Sequence, residues 1–131
     1  MQFRFICFMN VNNRIYIANC PVDVLSVRET NEKIERFIVE KQLIHHVVIN
    51  AGKLVEMQKD QKLYDSVIKS DIINADGQSI IWASRFLSQP LPERVAGIDL
   101  MESLIEMAYQ KGFSCYFFGA KEEVVQKVVH H

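Results

Sequence analysis

The chain has 131 residues, 49% of them hydrophobic, which suits one domain with a buried core. Its 15 basic and 16 acidic side chains give a net charge of −1, which argues against nucleic-acid binding because such proteins carry a basic excess. No apolar run approaches the roughly 20 residues of a membrane span. Cys7, Cys20 and Cys115 form no C-x-x-C pair, so neither a disulfide framework nor a zinc site is expected and the protein is predicted to be cytoplasmic.

The first predicted elements are two strands and a helix. The runs FRFICFM (3–9) and RIYIAN (14–19) suit strands, and the VNNR between them suits a turn because asparagine tolerates positive φ. We therefore expect an N-terminal β-hairpin. Ser26 and Glu29 then form an S-x-x-E capping box ahead of apolar residues at helical spacing, which predicts a helix.

Strands and helices alternate along the rest of the chain. In order, the sequence predicts a strand over 45–50, two short helices broken near Asp60, a strand over 71–75, a helix over 77–88, a loop with Pro90 and Pro92, a helix over 99–110 ended by Gly112, a strand over 114–119 and a helix beginning near 121.

This alternation predicts an α/β, Rossmann-like fold with a mostly parallel sheet, helices on both faces and the hairpin at one edge or apart. We expect 47–50, 72–74 and 115–118 to be adjacent or near-adjacent buried strands. We also expect one domain over 1–131 that is incomplete, because a doubly wound sheet usually continues beyond the last predicted helix.

Ligands of open α/β sheets bind at the carboxyl ends of the strands, where three loops of this chain lead into helices. These loops carry Asn50 and Lys53, then Asp76, Gly77 and Gln78, and finally Gly119 and Lys121. The alternative for Asn50 or Asp76 is a helix cap or turn former. No G-x-G-x-x-G, Walker or nucleophile-elbow motif is present.

The loop PLPERVAG (90–97) places Glu93 and Arg94 on a rigid connection near the same strand ends. Arginine presents a fork of donors that matches phosphate oxygens. One interpretation is an anion clamp facing Asp76. The other is a solvated surface ion pair.

The segment NADGQSIIWASRFLSQPLPERVAGIDL (74–100) resembles the signature of the WecG/TagA/CpsF family of bacterial glycosyltransferases, glycosyltransferase family twenty-six. The run VINA (48–51) and the run GFSCYFFG (112–119) are also similar to that family, in the same order. The resemblance covers the chain from about residue 14 to its end.

The resemblance implies an enzyme of cell-envelope or exopolysaccharide synthesis. Such an enzyme transfers an N-acetylmannosamine-type sugar from UDP to a sugar on undecaprenyl diphosphate, inverting the anomeric centre without metal or cofactor. It implies Asp76 as the general base, Arg94 as a phosphate-binding residue and Asn50 as a substrate-binding residue. We add Gly77, Gln78, Gly119 and Lys121 as further substrate-binding candidates from the loops.

The implied location is the cytoplasm, with peripheral attachment at the inner face of the plasma membrane left open along with homo-oligomerisation. Two departures from the family pattern stand out: Val48 occupies a position where threonine is common, and family members continue well beyond this length. We therefore expect little or no transfer from the 131-residue chain alone. The alternatives are a non-catalytic sugar-nucleotide or partner-binding module and an unrelated α/β domain in which Asp76 only caps a helix.

Overall fold

A computed structural model describes residues 13–129 of the chain. It divides into two compact units, Met1–Leu100 and Met101–His131. The order of elements is β1 (Arg14–Ile17), β2 (Cys20–Asp23), α1 (Val27–Val39), β3 (His46–Ile49), α2 (Ala51–Met57), α3 (Gln61–Ile68), β4 (Ile72–Ala75), α4 (Gln78–Phe86), α5 (Gly97–Lys111) and α6 (Glu122–Val129). Within the described residues, no helix is both long and apolar enough to cross a membrane.

The strands form two small sheets, one antiparallel and one parallel. β1 pairs antiparallel with β2, and β3 pairs parallel with β4, with His46 opposite Ile72 and Ile49 opposite Ala75. The fold is therefore mixed α/β with a parallel pair. This confirms the predicted strands at 45–50 and 71–75 and their adjacency, while the sheet is much smaller than the one expected.

A hairpin that the sequence did not predict joins β1 to β2. β1 ends at Ile17, and Ala18 and Asn19 form a two-residue connection with φ values of 48° and 63°. Positive φ at both positions is the geometry of a type I′ turn. The predicted strand over 14–19 is thus shorter and pairs with β2. The predicted strand over 3–9 and the start of the predicted turn lie outside the described residues, so the pairing of 3–9 with 14–19 stays a prediction.

The third predicted parallel strand is wrong. Residues 113–118 contain no strand, and Tyr116 and Phe118 are 89% and 94% exposed. The edge of β4 away from β3 is already bonded: the Ile73 N–H donates to the Asp23 carboxylate at 2.7 Å, and the Ala75 carbonyl accepts from Val95 at 2.8 Å. A further strand beside β4 would need those same backbone groups.

The helices begin and end where local chemistry predicts. Both halves of the Ser26–Glu29 capping box are formed at α1. Asp60 caps α3 by accepting from the N–H groups of Lys62 and Leu63, which explains the break between α2 and α3. Gly112 follows α5 with a φ of 70°, a conformation that glycine adopts at little cost.

The core of the first unit lies where the hairpin and the β3–β4 pair meet α2, α3 and α4. Its members are apolar side chains that are almost completely buried: Ile15, Ile17, Cys20, Val22, Ile49, Leu54, Met57, Val67, Ile73, Ala75, Ile80, Ile81 and Leu91. Burial raises the pKa of the Cys20 thiol to about 11, so Cys20 acts as a small apolar core residue.

Two polar networks fix β4 within this core. Asp23, 2% exposed, accepts from the Arg14 guanidinium at 3.0 and 3.3 Å and from the Ile73 N–H. On the other side, Asn74 is fully buried; it donates to the Thr30 hydroxyl and accepts from His46 Nε2 at 2.8 Å. Because both networks grip β4, its carboxyl end has a fixed position.

Candidate active site

The loop after β3 carries Asn50, which caps α2. Its side-chain oxygen accepts from the Lys53 N–H at 2.9 Å, so the capping interpretation of Asn50 is confirmed. Asn50 is exposed at the carboxyl end of the parallel pair. The Lys53 ammonium group is half-buried and donates to the Val48 carbonyl at 2.9 Å, which places a positive charge at the same strand end.

Asp76 follows β4 directly and does not cap the next helix. Its N–H donates to the Ile49 carbonyl at 2.7 Å, which extends the β3–β4 pairing by one bond. The N-cap of α4 is Gly77, which makes no side-chain capping bond. The half-buried Asp76 carboxylate instead accepts from the Gly97 N–H, the first residue of α5, at 3.3 Å.

Gly77 explains why glycine follows the aspartate. Its φ of 125° and ψ of 136° lie in a region that residues with a side chain rarely adopt. This conformation turns the chain from β4 into α4. A Cβ atom at Gly77 would lie 3.8 Å from the Asn50 Cβ, so the first two loops are neighbours, and the exposed Gln78 begins α4 beside them.

The proline loop is anchored on both sides of Arg94. The Glu93 carboxylate accepts from the Val27 N–H at the start of α1 at 2.7 Å. Val95, 1% exposed, bonds to the end of β4. Arg94 itself is exposed, and its guanidinium lies 3.8 Å from the Asp99 carboxylate.

The Arg94–Asp99 pair is weak because both side chains are at least half exposed. Pairs of this kind contribute about 0–1 kcal/mol, so a phosphate could displace Asp99 at little cost. The structure therefore places Arg94 near the strand end that carries Asp76 and leaves it open to an anion. The surface ion pair and the anion clamp are both compatible with this arrangement.

Gly119 and Lys121 belong to the second unit. Gly119 has a φ of 138°, and the Lys121 carbonyl accepts from Val124 and Val125 in the first turn of α6. Both residues are exposed, and the cluster described above consists only of residues from the first unit.

The cluster that the structure brings together is therefore Asn50, Asp76, Gly77 and Gln78, with Arg94 on the adjoining loop. The sequence named Gly97 only as part of a motif; its contact with Asp76 joins positions 21 residues apart, which no local pattern reveals. Across residues 13–129, no group of three or more His, Cys, Asp or Glu residues is arranged to hold a metal ion.

A sequence profile described as "Glycosyl transferase WecG/TagA/CpsF family" matches residues 15–131. The chain belongs to this family of glycosyl transferases. Among curated relatives, the N-acetylglucosaminyldiphosphoundecaprenol N-acetyl-beta-D-mannosaminyltransferase of Bacillus spizizenii is 36% identical over 67 residues, covering 50% of this chain and 26% of the relative. The protein of the same name from Staphylococcus aureus is 29% identical over 127 residues, covering 90% of this chain and 49% of the relative.

The chain thus spans about half, or less, of the length of these relatives. The family match includes the whole cluster at the carboxyl ends of β3 and β4. Val48 of β3 lies beside Gly97, where a Cβ atom would be 3.4 Å from Val48 Cγ2.

Proposed function

We propose that this chain forms part of an inverting glycosyltransferase that moves an N-acetylmannosamine-type sugar from UDP to a sugar linked to undecaprenyl diphosphate. The support is membership of the family and the activity for which two relatives are named. The reaction would belong to cell-envelope or exopolysaccharide synthesis. Because the acceptor is lipid-linked, the enzyme would work at the inner face of the plasma membrane.

Asp76 would act as the general base. The acceptor hydroxyl oxygen attacks the anomeric carbon, the bond from that carbon to the diphosphate oxygen breaks, and UDP leaves with the electron pair. The hydroxyl proton passes to the Asp76 carboxylate. The observation that carries this assignment is that Asp76 lies half-buried at the end of β4 and does not cap α4, unlike Asn50, which caps α2.

The negative charge that grows on the departing UDP would be met by donors rather than by a metal. Arg94 can offer a bidentate fork to the phosphates, and Asn50, Gly77 and Gln78 present polar groups at the strand ends. Gly119 and Lys121 would contribute from the third loop. The parallel β3–β4 pair would form part of a larger Rossmann-like sheet, with helices on both faces, in the longer protein.

The test is turnover by the full-length protein with UDP-N-acetylmannosamine and an N-acetylglucosaminyl diphosphate lipid analogue. Asp76→Asn should lower turnover by roughly 10²–10⁴-fold, the usual contribution of a general base. Asp60→Asn is the matched control, because it also neutralises one carboxylate at a loop–helix junction, but at the cap of α3.

Three other outcomes would change the conclusion. Turnover near wild type in Asp76→Asn would end the assignment of the base. A full-length protein that binds UDP but transfers nothing would be a non-catalytic binding module. Loss of transfer on chelation of divalent cations would show that the charge on UDP is not met by protein donors alone.

A further inference from the structure

The Asp76 carboxylate is held by a residue that the proposed chemistry does not name. Aspartate is among the residues preferred at the cap position of a helix. Here the cap position of α4 belongs to Gly77, and Asp76 Oδ2 accepts from the Gly97 N–H at 3.3 Å. The carboxylate is thus aimed toward the start of α5, away from the start of its own helix.

Gly97 can offer this N–H without disturbing its own helix. It is the first residue of α5, and the N–H groups in the first turn of a helix have no partner within that helix. An N–H at this position also lies at the positive end of the helix dipole, which favours a carboxylate. The bond therefore has a charged acceptor and a donor that is otherwise unused by α5.

Gly97, the first residue of α5, lies close to the end of β3. A Cβ atom there would lie 3.4 Å from Val48 Cγ2 and 4.0 Å from Cγ1, so a methyl group would just fit against Val48. Two residues earlier, the bond from Val95 to the Ala75 carbonyl holds the chain against β4. The backbone of Gly97 is therefore wedged between Val48 of β3 and the residue after β4.

We propose that Gly97 is a positioning residue for the general base, an inference that rests on the proposed function of Asp76. Its N–H holds Oδ2 and leaves Oδ1 to receive the proton of the acceptor hydroxyl. The segment 93–97 then serves both halves of the reaction: Arg94 faces the departing diphosphate, and Gly97 orients the base.

The test uses Gly97→Pro and Gly97→Ala in the full-length protein. Proline removes the N–H but is well tolerated at the first position of a helix. Alanine keeps the N–H and adds a methyl group at the same place. Gly97→Pro should lower kcat by on the order of 10-fold, because small misplacements of a reacting group are costly. KM for the UDP-sugar should change little, and Gly97→Ala should lose less than Gly97→Pro.

A double-mutant cycle separates positioning from a general structural role. In an Asp76→Asn background, Gly97→Pro should cause little further loss, since the group it positions no longer acts as a base. An equal fold-loss in both backgrounds, or an unchanged kcat in Gly97→Pro alone, would overturn the inference. Wild-type turnover in Asp76→Asn would instead end the assignment of Asp76 as the general base, on which this inference rests, so the two failures are distinguishable.

A measurement that needs no activity covers the case in which Gly97→Pro does not fold. Hydrogen exchange at the Gly97 amide, followed by NMR, should be about 10-fold faster in Asp76→Ala than in wild type, because loss of about 1.4 kcal/mol of protection corresponds to that factor. Unchanged exchange would show that the Asp76–Gly97 bond contributes nothing, and the inference would fail.

Discussion

Replacing Asp23 with asparagine should destabilise the first unit far more than the loss of an ordinary ion pair. Asp23 is 2% exposed and accepts from the Arg14 Nε at 3.0 Å, the Arg14 Nη2 at 3.3 Å and the Ile73 N–H at 2.7 Å. An asparagine has one acceptor oxygen in place of two. If that oxygen serves Ile73, the new NH2 group faces the guanidinium, donor against donor.

The expected magnitude is about 3 kcal/mol. Breaking a buried ion pair by removing one partner usually costs about 3–5 kcal/mol. The lower end applies because the Arg14 Nη2 keeps its bonds to the carbonyls of Ser70 and Asp71 at 3.1 and 3.0 Å, so the arginine is not stranded.

Urea unfolding followed by circular dichroism measures this change. With a urea dependence of about 1–3 kcal/mol per molar, the midpoint should fall by about 1–3 M. The matched control is Glu32→Gln, which breaks the Arg28–Glu32 pair at 3.9 Å between side chains that are 82% and 60% exposed. That variant should lose less than about 0.5 kcal/mol. An Asp23→Asn variant no less stable than the control would refute the reasoning.

Three further results are expected. Arg94→Ala should weaken UDP binding to the full-length protein by about 1.5–3 kcal/mol in calorimetry, whereas Arg36→Ala, at the far end of α1, should leave it unchanged. Gly77→Ala should cost about 1–3 kcal/mol in urea melts because of its φ of 125°, whereas Gly52→Ala, inside α2, should cost much less. Burial lowers the pKa of His46, so the unfolded chain binds more protons than the folded chain below pH of about 6.5. The free energy of unfolding should therefore fall as the pH drops below that value, and the fall should be smaller in His46→Gln.

The elements that local chemistry specifies were predictable from the sequence. The Ser26–Glu29 box, the break near Asp60 and Gly112 each mark a helix end through contacts within a few residues, and each prediction is confirmed. The same holds for the apolar runs that became β3 and β4. In each case, the signal and the structure that it specifies occupy the same short segment.

The errors come from features that sequence patterns express weakly. A type I′ turn favours Asn-Gly or Asp-Gly, so Ala18–Asn19 gave little warning of a turn, and the β1–β2 hairpin was not predicted. The run 114–119 has the composition of a buried strand, but composition does not say whether a neighbouring edge is available. The side chain of Asp23 and the N–H of Val95 occupy that edge of β4, and both come from distant parts of the chain.

The candidate site was predictable as a set of loops but not as a set of contacts. The rule for strand ends pointed to Asn50 and Asp76, and their loops are indeed neighbours. Capping was the simpler expectation for both residues, and it holds for Asn50 alone. The difference arises from Gly77, whose backbone conformation turns the chain so that Asp76 faces α5.

The segment 93–97 shows how an exposed arginine can be placed with little loss of entropy. Glu93 is bonded to the start of α1, Val95 to the end of β4, and Gly97 to the Asp76 carboxylate. Arg94 stands between these anchors, so its backbone is fixed although its side chain reaches solvent. An arginine on a mobile loop would have to order its backbone on meeting a phosphate, at about 1–2 kcal/mol per residue. Here that cost is met during folding, and an incoming anion has only the side chain of Arg94 to immobilise.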